Sequence, residues 1–539
     1  MEETRRRMRE SGRGEVGTVE FMGAEWGVIA MGFWKMESGK VGENGGGAIN
    51  PNGLMGRVAA IVLWAFIGCT TRKERTRRKL LFAEAPTRQH ARVAPSPFHP
   101  MNISRRTFLQ TSTAAALGFP AILRAANPNS KLQVAVVGCN GQGFYDLGQI
   151  GSHAQAIFTG FCDVDTARFG EAEQKFPGVP HFQDFREMFA KLGDTFDAVQ
   201  VSTPDHMHAF IALEAMRRGK HVYCQKPLTH TVWEARQMRL QAAQSKVVTQ
   251  MGNQIHSAGE YRTAVKLIRD GAIGKIQAVH SWQGNSGNGF TKLTAPPAPG
   301  PVPESLNWDW WLGAAPPRDY APDVYHPFKW RDWQDFGGGT LGDFGCHILD
   351  PVFTALQLTA PLSIRGENEG LNPQTWPSAE TISYIFPGTE WTAGRTLPLT
   401  WHDGGRQPEP ALAQMPADKK LPGSGSLFIG EGGTLILPHV AMPQLYPLEK
   451  FAAFEMPKVA GANHYHAWVE AALAGSKTTG GFDYAGPLTE TVQLGNAATR
   501  FPGVTLEWDA AALRFPNQPE ADRLLTKQYR DGWKIAAVG

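Results

Sequence analysis

One stretch constrains the fold more than any other, Lys131 to Asp163, KLQVAVVGCNGQGFYDLGQIGSHAQAIFTGFCD. Its opening apolar run, Leu132 to Val137, stops at Gly138-Cys139-Asn140-Gly141-Gln142-Gly143. An amphipathic segment follows, then a second apolar run from Ala154 to Cys162 that ends in Asp163. Strand, glycine turn, helix, strand and terminal acid spell a dinucleotide-binding βαβ unit. Glycines bring backbone N–H groups close to a pyrophosphate, and the helix N-terminus adds its positive dipole end. The turn departs from G-x-G-x-x-G, because Asn140 stands at the second glycine with Gly141 beside it. Asn tolerates left-handed backbone better than most residues, so the turn stays feasible. Asp163 sits where the acid that binds a ribose 2′-hydroxyl belongs, and a carboxylate there favours NAD over NADP. Arg168 is near enough in sequence to blur that preference.

The same alternation continues beyond Asp163. Helices are expected at Asp184–Leu192, His206–Arg218 and Thr231–Ser245, and strands at Phe196–Ser202, His221–Cys224 and Val247–Gln250. Short apolar strands between amphipathic helices mean a doubly wound parallel sheet. Such sheets bind ligands at the carboxyl ends of their strands, where the turns at Gly138, Asp163, Thr203 and Gln225 fall. The residues assigned to the cofactor are therefore Gly138, Asn140, Gly141, Gly143, Asp163, Ser202, Thr203, Pro204, Gln225 and Lys226.

At 539 residues the chain is long enough for two or three domains. A net charge of +3 with 19% charged residues leaves no electrostatic footprint for nucleic acid. Five cysteines, Cys69, Cys139, Cys162, Cys224 and Cys346, form no C-x-x-C pair and read as small buried hydrophobes. Residues 1–100 mix arginine clusters with glycine runs, and their one apolar run, Val58 to Cys69, is too short to span a bilayer. At Met101 the character changes. Arg105-Arg106, a mild apolar stretch and a small-residue end at Ala125-Ala126 look like a twin-arginine export signal over residues 101–126. Translation is expected to start at Met101, with a periplasmic or otherwise extracytoplasmic destination. If the signal is unused, the protein stays cytoplasmic, and no stable membrane span is expected either way.

Three further motifs carry a resemblance. VSTPDHMHA (Val201 to Ala209), GKHVYCQKPLTH (Gly219 to His230) and GGGTLGDFGCHILD (Gly337 to Asp350) are similar to signature segments of the glucose–fructose oxidoreductase / inositol dehydrogenase / MocA (Gfo/Idh/MocA) family. The likeness runs from Lys131 to Gly503 in the family's order. It implies a Rossmann domain at residues 130–255, then an α+β substrate domain at 256–505 with an open, mostly antiparallel sheet, and a tail from 506 to 539. It also implies a homo-oligomer formed through that second sheet. The family's Glu-Lys-Pro turn reads Gln225-Lys226-Pro227 here. Gln225 carries no charge, so the carboxylate across the cleft is expected to hold Lys226 protonated. His208 matches the histidine of the Thr-Pro turn and reads as a capping or packing residue.

In the second half, a helix is expected at Glu260–Asp270, a strand at Ile276–Gln283 and a loop from Gly284 to Pro303. Trp308, Trp310, Trp311, Tyr320, Tyr325, Trp330 and Trp333 then crowd a short segment, either as its core or as a wall that stacks on sugar rings. Asp343 and His347 lie four residues apart, on one face of a helix. Oxidising a secondary alcohol needs a base for the hydroxyl proton, and a histidine fixed by a neighbouring carboxylate suits that role. The catalytic assignment is therefore His347 as base, Asp343 as its orienting partner and Lys226 as the cation that stabilises the developing alkoxide. An Asp/His pair also suits a metal, but no third ligand is near in sequence and no metal is assigned. A hairpin is expected around Leu427–Leu437 and a helix at Asn463–Ala474, whose His464 and His466 are given surface or core roles.

These readings converge on an NAD(H)-dependent oxidoreductase interconverting a secondary alcohol and a ketone on a sugar, glycoside or cyclitol. A rival from the same family is an NAD-dependent glycosidase acting by redox elimination. A rival of another class is a non-catalytic sugar-binding protein on the same scaffold, against which Lys226, Asp343 and His347 argue.

Overall fold

The computed structural model describes residues 131–284 and 297–538. The twin-arginine segment, the run Val58 to Cys69 and much of the loop after Gly284 lie outside those residues.

The first sheet is built from β1 (Leu132–Val137), α1 (Gln142–Ile150), β2 (Ala156–Cys162), α2 (Gly170–Lys175), β3 (His181–Phe182), α3 (Phe185–Leu192), β4 (Ala198–Val201), α4 (Asp205–Arg217), β5 (His221–Gln225), α5 (Val232–Ser245) and β6 (Thr249–Gly252). Its strands run parallel in the order β3-β2-β1-β4-β5-β6. Helices cover both faces, so the central strands are mostly apolar. Val134, Val136, Val199 and Val201 are fully buried. Two residues expected inside helices cap them instead. Asp184 accepts from the Arg186 N–H ahead of α3, and Thr231 forms a capping box with Glu234 ahead of α5. The order reverses between β1 and β4, which opens the crevice where such sheets hold nucleotides.

The second half begins with α6 (Gly259–Arg269), β7 (Ile276–Gln283), α7 (Trp308–Leu312) and α8 (Gly339–Leu356). Then come β8 (Ser363–Glu369), β9 (Ala379–Pro387), β10 (Thr396–Asp403), β11 (Ser424–Gly430), β12 (Gly433–Pro438) and β13 (Gln444–Tyr446). The chain continues with α9 (His464–Ala474), α10 (Phe482–Thr499) and β14 (Thr505–Glu507). The eight strands order as β13-β12-β11-β7-β10-β9-β8-β14, and every pairing is antiparallel except β7 with β10. A Rossmann domain followed by an open, mostly antiparallel sheet is the expected fold class. One face of that sheet packs on α8 and α10. Leu349, Phe353, Leu488 and Val492 lie in one core with Ile382, Tyr384, Phe386, Leu399, Trp401 and Phe428.

The expected tail is not a tail. Its first strand, β14, zips onto β8, and the segment beyond returns to the nucleotide domain. Lys527 Nζ lies 2.8 Å from His230 Nδ1, the Tyr529 hydroxyl donates to Glu234 at 3.0 Å, and Val538 N–H donates to Gln237 at 2.6 Å. Trp533 packs its ring edge-on to Phe210 at 5.4 Å. The physical reason is an apolar surface on α4 that the first sheet's own helices do not cover. Likewise α9, expected in the substrate domain, buries Tyr465, Trp468 and Val469 against Leu147, Ile150 and Tyr223 of the first.

Candidate active site

The glycine turn is shaped for close approach. A Cβ on Gly138 would stand 2.4 Å from the Ser202 carbonyl oxygen, and one on Gly143 would stand 2.1 Å from that of Gly138. Gly141 (φ +59°) opens α1 and faces space, with the Arg168 guanidinium 3.9 Å from where its Cβ would be. No side chain caps α1; the Gly143 N–H turns back onto the Asn140 carbonyl at 3.1 Å, and the positive dipole end of the helix is left for an anion. Asn140 is tied down by donating to Glu171 at 3.1 Å. Asp163 accepts from the Cys139 and Asp165 N–H groups at 3.0 and 3.1 Å, so it fixes the turn and the strand end together. Thr203 Oγ1 is buried on this edge without a protein partner. Uncapped helix, open glycine cradle and orphaned hydroxyl fit a dinucleotide.

Beneath this edge lies a residue that sequence reasoning missed. Asp146 of α1 is fully buried and accepts from Gln142 (2.8 Å), Ser202 Oγ (2.9 Å), Gln225 Nε2 (2.7 Å) and the Tyr465 hydroxyl (3.2 Å). Burial, opposed by those four neutral donors, pushes its carboxyl up to about 6. Gln225 is therefore turned into the protein, where its amide joins two cofactor turns through Asp146. His208 bridges the same edge, with its ring nitrogens 2.8 Å from the Thr203 carbonyl and 2.9 Å from that of Pro227. Pro204 precedes α4 as its N-cap residue.

Across the crevice, α8 brings Asp343 and His347 to the Lys226 turn. Lys226 Nζ donates to Asp343 Oδ1 at 2.7 Å and to the Asp343 carbonyl at 2.8 Å. Arg331 Nε stands 3.5 Å from the same carboxylate. Burial opposes the Asp343 charge, but Lys226 and then Arg331 outweigh it and hold the carboxyl well below the usual range. The counter-ion of Lys226 thus comes from across the cleft, as Gln225 requires. The expected Asp343–His347 pair does not form. The two residues do share a helix face, yet the carboxylate turns to the stronger cations and His347 finds a different partner.

That partner is Asn253, which follows β6. Its Nδ2 donates to the Cys346 carbonyl at 3.0 Å, which leaves Oδ1 facing His347 Nδ1 at 2.5 Å. An amide oxygen only accepts, so His347 carries its proton on Nδ1 and presents a lone pair on Nε2. Burial drives its pKa well below the ordinary histidine value, and Lys226 adds to that, so the ring is neutral. Asn253, Arg331 and Asp205 are functional neighbours that the sequence reading left out. Asp205, at the start of α4, is pushed up to about 7 by burial against the pull of Arg331 and Lys226.

Other candidates are structural. Trp311, Tyr320, Tyr325, Trp330 and Trp333 are buried together with Phe336, and half-buried Trp308 stacks on Trp311 at 4.7 Å, so this cluster is a core. Trp310 is half-buried. His464 is buried between Ser257 and the Met251 carbonyl, and His466 meets Ser152 on the side of α9. Cys139, Cys162, Cys224 and Cys346 are free and buried, while Cys69 lies outside the described residues.

A parallel nucleotide sheet whose carboxyl edge faces an Asp/His-bearing helix of a second domain defines a two-domain dinucleotide-binding protein. Models of one oxidoreductase family match both halves in order, its NAD-binding Rossmann fold at residues 132–253 and its C-terminal α/β domain at residues 272–386. These matches support membership of the Gfo/Idh/MocA oxidoreductase family. Among curated relatives, the chain is 29% identical over 153 residues to levoglucosan dehydrogenase from Pseudarthrobacter phenanthrenivorans, covering 28% of this chain and 31% of that protein. It is 29% identical over 153 residues to inositol 2-dehydrogenase from an Arthrobacter species, covering 28% and 44%. Either match spans less than half of the relative's length. Of solved structures, the WlbA dehydrogenase from Chromobacterium violaceum, in complex with NADH and UDP-GlcNAcA, superposes with a TM-score of 0.51 at 16% identity, over 71% of this chain and 97% of that one. At that identity the likeness speaks to the fold alone.

Cofactor choice is open to a direct measurement. A 2′-phosphate would meet the Asp163 carboxylate, while Arg168 stands close to the same turn. Wild type is expected to bind NAD more tightly than NADP in fluorescence titration, and Asp163→Ala to narrow the gap by roughly tenfold. A preference for NADP in wild type would show that Asp163 does not contact the ribose.

Proposed function

We propose that this chain is an NAD(H)-dependent oxidoreductase that interconverts a secondary alcohol and a ketone on a sugar or cyclitol. The carrying observation is a Lys226 ammonium held by Asp343 beside a neutral His347 whose Nε2 is left basic by Asn253, at the carboxyl edge of a nucleotide sheet. A bound nicotinamide supplies the hydride acceptor. His347 Nε2 takes the hydroxyl proton, Lys226 stabilises the oxygen as negative charge builds on it, and Asp343 with Arg331 keeps Lys226 in place. Gly138, Gly141, Gly143, Asp163, Ser202 and Thr203 would hold the dinucleotide.

The experiment is to purify the protein, look for bound nucleotide by absorbance, and screen levoglucosan, myo-inositol and related sugars for NAD reduction. Net NADH from at least one of them supports the reading. Cleavage of a glycoside without net NADH would instead favour redox elimination, and binding without either reaction would favour the scaffold rival. Among the described residues no helix is long and apolar enough to cross a membrane. Homo-oligomer formation through the outer face of the second sheet, where Ser383 and Pro398 are exposed, belongs to the same proposal and is read by sedimentation velocity.

Export by Arg105-Arg106 is proposed on the sequence motif. Changing both arginines to lysine is expected to leave the protein in the cytoplasm of its host. Undiminished recovery of that double variant outside the cytoplasm would rule the signal out.

A further inference from the structure

A second histidine stands beside the first. His439 follows β12, and its ring lies 6.0 Å from that of His347, tilted by 42°. Its Nδ1 lies 2.7 Å from the hydroxyl of Tyr261 on α6. Tyr261 is buried, and this ring nitrogen is the one acceptor within reach of its hydroxyl among the described residues. A buried phenol satisfies its proton where it can, so Tyr261 donates and His439 accepts on Nδ1. Burial, with Lys226 adding, pushes the His439 pKa down to about 4, so the ring is neutral and its proton sits on Nε2. His347 has the opposite tautomer. Neither Nε2 has a protein partner among the described residues.

The backbone supports a held position. The His439 N–H donates to the Ser424 carbonyl at 2.9 Å. The next residue, Val440, has φ +62°, a left-handed conformation that a β-branched side chain resists, and it is exposed. Strain of this kind persists where the surroundings fix the chain, and such places cluster at binding sites.

We propose that His439 is a specificity-determining residue: its Nε2–H donates to a hydroxyl oxygen on the carbon next to the one oxidised, while His347 Nε2 receives the reacting hydroxyl's proton. The substrate class is then a ring polyol with a vicinal pair of hydroxyls. Removing the neighbouring hydroxyl leaves a donor unpaired, and replacing it with an ammonium sets donor against donor. This inference rests on the oxidoreductase reading above, and its test has an arm that does not.

That arm is NMR of the full-length protein with ¹⁵N-labelled histidine, the two signals assigned from His439→Gln and His347→Gln. His347 is expected to carry its proton on Nδ1 and His439 on Nε2, whether or not any substrate is known. The second arm takes whichever of levoglucosan and myo-inositol reduces NAD and compares it with the analogue lacking the hydroxyl beside the reacting carbon. Wild type is expected to lose roughly 10- to 100-fold in kcat/KM on the analogue. His439→Leu should lose a similar factor on the parent sugar and no longer distinguish the two, and His439→Gln, which keeps a donor, should recover part of the loss. The same tautomer on both rings, or a His439→Leu enzyme that still rejects the deoxy analogue, overturns the proposal. If neither sugar reduces NAD, the oxidoreductase reading fails on these substrates, and the tautomers still decide whether the donor–acceptor pair exists.

Discussion

Changing His347 to alanine is expected to lower turnover by roughly 10²–10⁴-fold, the usual loss when a general base is removed, while NAD binding stays within about a factor of three. The ring contributes to the reaction through Nε2 and lies on α8, away from the glycine turn that would hold the dinucleotide. Its tautomer depends on Asn253, so Asn253→Ala should produce a smaller version of the same defect: kcat falls, KM changes little, and part of the ring population carries its proton on the wrong nitrogen. Stopped-flow turnover beside nucleotide titration checks both variants. Near-wild-type rates for His347→Ala would remove the proposed base from the mechanism.

Lys226→Ala should cost at least as much, on the order of 10²–10³-fold for the lost oxyanion stabilisation and more if the substrate hydroxyl is also misplaced. Asp343→Asn should be milder, because Lys226 keeps the Asp343 backbone carbonyl as an acceptor. The pH dependence separates the carboxylates of this cluster. Asp343 stays ionised throughout any practical assay range, since its pKa is held well below the ordinary value. Asp205, pushed up to about 7, is the group that titrates near neutrality, and Asp205→Asn should erase an inflection of kcat/KM there. The sign for stability follows from the same shift. The folded protein keeps a proton on Asp205 that the unfolded chain releases, so this residue's contribution declines as pH rises from about 4 to about 7 and is flat in the Asn variant. Thermal unfolding at pH 5 and pH 8 reads that difference.

What could be read from the sequence was set by local physics. The strand, glycine turn and acid from Leu132 to Asp163 are legible because tight backbone approach and a βα turn demand particular residues at particular spacings. The shared face of Asp343 and His347 is legible because helical period is local. The partner of His347 was not, since Asn253 lies 94 positions away; the pairing of Lys226 with Asp343, 117 positions apart, was reached only through the family resemblance and the missing charge at Gln225. Asp146 drew no reading, because Gln225 and Tyr465, which close over it, lie 79 and 319 positions away. The helix α10 was missed for another reason. It is buried nearly all round, with Pro487 inside it, so it shows neither an amphipathic stripe nor a clean helical composition. The strands β8 to β10 were likewise not read, and the polar segment around residue 530 gave no sign that a tryptophan in it was destined for α4.

That returning segment puts a clock on the nucleotide half. Glu234 and its hydroxyl donor Tyr529 are 295 positions apart, and Trp533, which shields Phe210, comes later still. A ribosome adding 5–20 residues per second separates the two ends of that contact by roughly 15–60 s. For that interval β1 to β6 exist without their last layer, and Phe210 stays open to water and to other chains. Synthesis therefore leaves the α4 and α5 face of the nucleotide half assembled but uncovered, with chaperone engagement and aggregation competing for it until the C-terminal strap arrives.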